Sequence, residues 1–238
     1  RKIIDRSFFP SAFRAGFQAE RPDSHWFLEQ YIPFDISNMS TEDNSDLDGS
    51  VDFRNGRSGD WRLAPSDWSL YQPDHDYYQL KGSCRRWIGR ALNVLNRIAS
   101  VDEYEVDKAF RRAESGVPTL MGIATHDFRD LGVEVDHLHE LISSVAGNYP
   151  TVKFKYCDVK TAFQSTIWPN GVDDPTLDLE LVYKPASCDD IPSLEVRTTS
   201  GTVFGPQPYL AIQTRSRRYI HDNFDFSTSL DSWSYGFH

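Results

Sequence analysis

Short apolar runs separated by amphipathic stretches fill the chain as far as Trp168, and strand-like alternation replaces helical periodicity after Pro169. Val106, Ala109, Phe110 and Ala113 fall on one helical face and predict a helix near Ser100 to Ser115. Ser100 and Glu103 form a capping box at its start, Gly116 is placed to end it, and Pro118 prevents its continuation. Val135, Leu138, Leu141, Ile142 and Val145 share the face of a second helix, near Val133 to Ala146. Between the two, Thr119 to Ala124 reads as a buried strand. After Pro150, Val152-Lys153-Phe154-Lys155-Tyr156 alternates as a half-exposed strand. Nearer the start, Ala12 to Phe17 is a short apolar run broken by one arginine. A helix capped by Asp23 or Ser24 follows and stops before Pro33, and Phe34 to Ser37 reads as a further strand. Asn38 to Asp60 is an acidic loop, and Trp61 to Asn96 is aromatic-rich with irregular strands. Helices alternating with strands predict a parallel α/β arrangement.

Leu177 to Tyr183, Leu194 to Thr198, Tyr209 to Thr214 and Arg218 to Phe226 are strand-like runs joined by turn residues. They predict an antiparallel β extension. Residues 1–168 are thus expected to form the α/β portion and residues 169–238 the extension.

Hydrophobic residues make up 39% of the 238 and aromatics 13%, which predicts a globular chain with a sizeable core. A formal net charge of -10 repels phosphate backbones, so nucleic acid is not an expected partner; sugars, small molecules and a homo-oligomer stay open. No stretch approaches the ~18 apolar residues of a membrane span, and no signal peptide is visible. Cys84, Cys157 and Cys188 are far apart and odd in number, which predicts neither a zinc knuckle nor a disulfide framework and points to a reducing, cytoplasmic setting.

His126 is the leading chemical candidate, because functional groups gather where parallel strands end and a histidine exchanges a proton near neutral pH. A loop histidine that only satisfies a hydrogen bond is the competing reading. Asp127, next to it, would orient a ring or bind a polar group of a substrate. Arg14 sits among Phe13, Ala15, Gly16 and Phe17, where a guanidinium is expected to pair with a carboxylate. Trp61, Trp68, Tyr71, Tyr77 and Tyr78 are either ordinary core or the lining of a sugar-binding groove; Trp61 and Tyr71 are taken as substrate-binding candidates. His137 and His139 lie about 200° apart on a helix and cannot share one ion. Asp74-His75-Asp76 is better read as a polar turn. Asn44, Asp46, Asp48 and Gly49 partly imitate a calcium loop, but Asn44 stands where aspartate is wanted and Asn55 where the bidentate glutamate is wanted.

At Ser11-Ala12-Phe13-Arg14-Ala15-Gly16 and at Thr119-Leu120-Met121-Gly122-Ile123-Ala124-Thr125-His126-Asp127, the sequence resembles the polysaccharide deacetylases of the NodB-homology family. More narrowly, it is similar to deacetylases encoded with bacterial O-antigen (lipopolysaccharide) biosynthesis. The resemblance covers about Phe8 to Phe163. It implies part of a (β/α) barrel, removal of acetyl groups from a glycan, and a divalent metal, zinc or similar. Arg14 matches the arginine that orients the catalytic base, Asp35 an aspartate shortly after it, and His126 the general acid. Nothing before Arg14 matches the family's base and metal motifs: Asp5 is the only acid there and no histidine precedes His25. The sequence, which starts at Arg1, is therefore expected to be either a piece of a longer polypeptide or a shortened homologue without the metal. The competing function is an inactive protein that binds or assembles glycans.

Overall fold

A computed structural model describes residues 1–42, 59–96, 99–171, 176–188 and 190–237. Most of the acidic loop and the calcium-like residues Asn44 to Gly49 and Asn55 lie outside them. The chain forms two compact units that interleave along the sequence. One contains Ser11–Leu28 and Pro33–Gly171; the other contains Arg1–Pro10, Glu29–Ile32 and the residues from Val172 onward.

The first unit is built on a curled, four-stranded parallel half-barrel sheet. Its strands are β1 (Ala12–Phe13), β2 (Phe34–Asn38), β3 (Trp87–Asn93) and β4 (Gly122–Ala124), in the order β1-β2-β3-β4. Every residue of β2, and all of β3 after Trp87, is buried, as expected of parallel strands covered on both faces. Helix α2 (Pro22–Tyr31) follows β1, after the short helix α1 (Lys2–Arg6) of the other unit. The expected cap at Asp23 or Ser24 gives way to a start at Pro22, whose fixed φ suits a first helical position.

Helix α3 (Glu103–Glu114) buries Val106, Ala109 and Phe110, the face read from the sequence. Its cap differs from the expected Ser100–Glu103 box. The Asp102 carboxylate accepts from the Glu105 amide at 2.9 Å, while Ser100 bridges to Asn93 at the end of β3. An aspartate already in extended backbone needs no help from a serine two residues earlier. Gly116 takes φ +84° just past the helix end, the left-handed conformation that favours glycine.

Helix α4 (Leu131–Ala146) is capped by Asp130, which accepts from the Gly132 amide at 3.0 Å. Ile142 and Val145 are buried and Leu138 and Leu141 partly so, but Val135 is 52% exposed. The first turn turns Leu131 and Val133 outward as well and buries Glu134 instead. Val152 to Tyr156, expected as a strand, joins no ladder; Phe154 and Tyr156 stand exposed. Helix α5 (Val159–Ile167) was not foreseen. Asp158 caps it, and its fully buried Phe163 stacks on Phe34 with ring centroids 5.0 Å apart. Gly89 makes room for that ring, since a Cβ there would lie 2.8 Å from the Phe163 Cζ.

The second unit carries antiparallel strands, as expected. β5 (Asp178–Lys184), β6 (Ser193–Ser200), β10 (Ser232–Gly236) and β9 (Asp225–Phe226) form one sheet in that order, and β7 (Leu210–Gln213) pairs with β8 (Tyr219–Asp222). Val196, Leu210, Phe224 and Trp233 make its core. No described helix is long and apolar enough to cross a membrane.

Candidate functional site at the strand ends

β4 delivers Thr125, His126 and Asp127 to the C-terminal edge of the parallel sheet. His126 is half-buried; its Nδ1 is buried and, among the described residues, has no hydrogen-bond partner. Its ring centroid lies 5.1 Å from that of Phe128, which is 77% exposed. One nitrogen of Arg129 donates to the backbone oxygens of Val94 and Leu95 beyond β3, at 3.0 and 2.9 Å, and to Glu134 Oε1 at 3.0 Å. Arg129 thereby ties the ends of β3 and β4 to the first turn of α4. The Thr125 hydroxyl, with help from Arg129 and the nearby His126, holds the buried Glu134 carboxyl below the usual carboxylate range. Leu95, Phe128, Leu131 and Val133 surround this edge with exposed apolar surface. Asp127 is exposed.

The other candidates fall elsewhere. Arg14 follows β1, the far strand of the sheet, and is exposed; among the described residues it makes no ion pair, so the expected carboxylate partner is missing. It lines a largely apolar cleft of about 940 Å³ together with Phe13, Phe110, Met121 and Phe154, and His126 is not part of that lining. Three strand spacings, about 14 Å along the sheet, separate β1 from β4. Trp61 and Tyr71, expected to face a sugar, are 1% and 2% exposed. They are interior packing: the Trp61 indole donates to the Gln18 backbone oxygen at 2.8 Å and the Tyr71 hydroxyl to that of Tyr78 at 2.9 Å.

Asp35 is sealed inside a cluster that sequence reasoning missed. Arg86, just before β3, is fully buried; its guanidinium pairs with the Asp35 carboxylate and meets the Glu20 carboxyl group. Its guanidinium also meets His25 Nδ1, at 2.6 Å from one terminal nitrogen and 3.2 Å from Nε. The opposite ring nitrogen of His25 contacts the Asp74 backbone oxygen at 2.9 Å, so that nitrogen carries the proton and Nδ1 accepts from Arg86. Asp35 Oδ1 accepts from the Ser37 amide at 2.8 Å. Burial, and then the neighbouring Asp35 charge, push the Glu20 carboxyl up to about 9. Arg86 and Arg90, charges inside the run from Arg86 to Leu92, carry the same signal that drew attention to Arg14. Arg90 is as deeply placed: it binds both oxygens of Glu105, donates to the Ser40 backbone oxygen at 2.6 Å, and lies over Trp68 at 4.4 Å.

Set against protein-family models, curated proteins and solved structures, the chain matches none of them.

Proposed function

We propose that the end of β4 forms the proton-donating half of a hydrolytic site that removes acetyl groups from a polysaccharide or its sugar precursor, in cell-surface (O-antigen) polysaccharide biosynthesis. The half-buried His126 ring, its buried Nδ1 without a partner among the described residues and the Glu134 carboxylate nearby, carries the reading. In deacetylation, water adds to the acetyl carbon and the bond from that carbon to the sugar nitrogen or oxygen breaks. The departing atom must gain a proton, and His126 is its donor. Arg129 holds the nearby Glu134 to the strand ends. Phe128 offers an exposed ring for the apolar face of a sugar.

The resemblance implies a divalent metal as well. Among the described residues, no three His, Cys, Asp or Glu side chains gather as a group able to hold one. His126 and Asp127 alone do not fit the ion. Asp35, closed off by Arg86, favours the second reading, a glycan-binding protein without the chemistry.

In the longest natural form of the protein, His126→Gln should lower acetate release from an acetylated glycan by about 10²-fold or more while leaving thermal unfolding unchanged. Release at the wild-type rate would remove His126 from the reaction. A wild-type protein that binds the glycan and releases no acetate would select the binding reading.

A further inference from the structure

β5 is one edge of the four-stranded sheet in the second unit, and among the described residues no strand pairs with its outer side. Natural edge strands are usually blunted by shortness, proline, bulges or free charges. β5 is seven residues long and contains no proline, and its single irregularity lies at its first step, between Asp178 and Leu179. Six of its seven residues are exposed, among them Leu181 at 61%, Val182 at 43% and Tyr183 at 61%. Two of its charges are already engaged on its own neighbour β6: Glu180 with Arg197 and Lys184 with Glu195.

We propose that a second copy of this chain docks along this edge, β5 against β5 and antiparallel, about a two-fold axis through Leu181. In that register Leu181 faces its own copy, Leu179 faces Tyr183, Glu180 faces Val182, and Asp178 faces Lys184 at both ends. All seven residues of each strand overlap, and two opposite-charge pairs form by symmetry. Leu179, Leu181 and Tyr183 point to one face of the sheet, because side chains alternate along a strand. That face is the apolar one: Leu179 packs against the core of Val196, Leu210, Phe224 and Trp233. Pairing would carry it across the junction into the partner. Neighbouring registers are worse. An axis through Glu180 sets two carboxylates directly opposite each other, and an axis through Val182 overlaps only the stretch from Glu180 to Lys184.

The test is sedimentation velocity over a concentration series, with reductant present because Cys157 and Cys188 are free and exposed. The wild-type chain should show a dimer fraction that rises with concentration. Leu181→Lys sets two ammonium groups against each other at the axis and should weaken association at least about tenfold. The substituted side chain is solvent-exposed, and an unchanged thermal melt would show that the fold is kept. Asp178→Lys should also weaken the dimer by facing Lys184, and the charge swap Asp178→Lys/Lys184→Asp, made with Glu195→Lys to keep the pair inside the sheet, should restore it. A wild-type chain that stays monomeric at concentrations on the order of 1 mM overturns the proposal. So does a Leu181→Lys variant that associates like the wild type, and a charge swap that restores nothing overturns the register.

Discussion

Replacing Glu20 by Gln should flatten the pH dependence of stability. Glu20 sits in the folded protein with its carboxyl raised from 4.5 to about 9, first by burial and then by the Asp35 carboxylate. In the unfolded chain it returns to the ordinary glutamate value. Between those two values the folded state holds a proton that the unfolded state has released. Stability therefore falls as pH rises: the contribution is complete below the unfolded value and gone once the pH passes the folded one. One whole proton corresponds to a slope of about 1.4 kcal/mol per pH unit, or up to about 2.7 kcal/mol between pH 6 and 8. In a chain of this size that is roughly 5–10 °C in Tm. Gln keeps an oxygen for Arg86 and does not titrate. Urea unfolding at pH 6, 7 and 8 on both proteins gives the two slopes, and their difference cancels every group the variant leaves alone. The wild-type slope should be the more negative by up to one proton. Parallel slopes would mean that Glu20 is already ionised inside the cluster, and the assignment of its proton would be wrong.

Glu105→Ala strands the fully buried Arg90 without its carboxylate and should cost about 3–5 kcal/mol, read from the urea midpoint; Arg90→Met with Glu105→Leu should recover much of that loss. Asp102→Ala should cost about 1 kcal/mol by removing the cap of α3, while Ser100→Ala costs less, a pair of thermal melts that separates the observed cap from the one read in the sequence.

The parallel sheet, helices α3 and α4 and the antiparallel strands were legible because each shows its period: apolar residues at helical spacing from Val106 to Phe110, alternation from Leu179 to Tyr183. β3, buried after its first residue, was blurred into an irregular aromatic segment because Arg86 stands just before it and Arg90 interrupts its apolar pattern. Those charges are interior, and their partners Glu20, Asp35 and Glu105 come from distant parts of the chain, where no local window finds them. The alternation from Val152 to Tyr156 misled in the opposite direction, since period two describes what a strand looks like and does not supply a neighbour to pair with. At the candidate site, the position of His126 at a strand end followed from the apolar run before it. Glu134 did not: its spacing puts it on the face of Leu138, Leu141 and Val145, but a carboxylate there reads as solvated, and the Arg129 contact that offsets its burial lies in the preceding loop.

Arg86 reaches Glu20, His25 and Asp35 across 66, 61 and 51 residues of sequence. Burying a guanidinium before its acceptors arrive costs several kcal/mol, so none of these contacts is favourable on its own. The four side chains must desolvate together, after the loops between them have closed. A cluster assembled that late is absent from most of the folding barrier, and its free energy appears on the unfolding side. It governs how long the native state lasts once formed, and has little say in how quickly the chain arrives there.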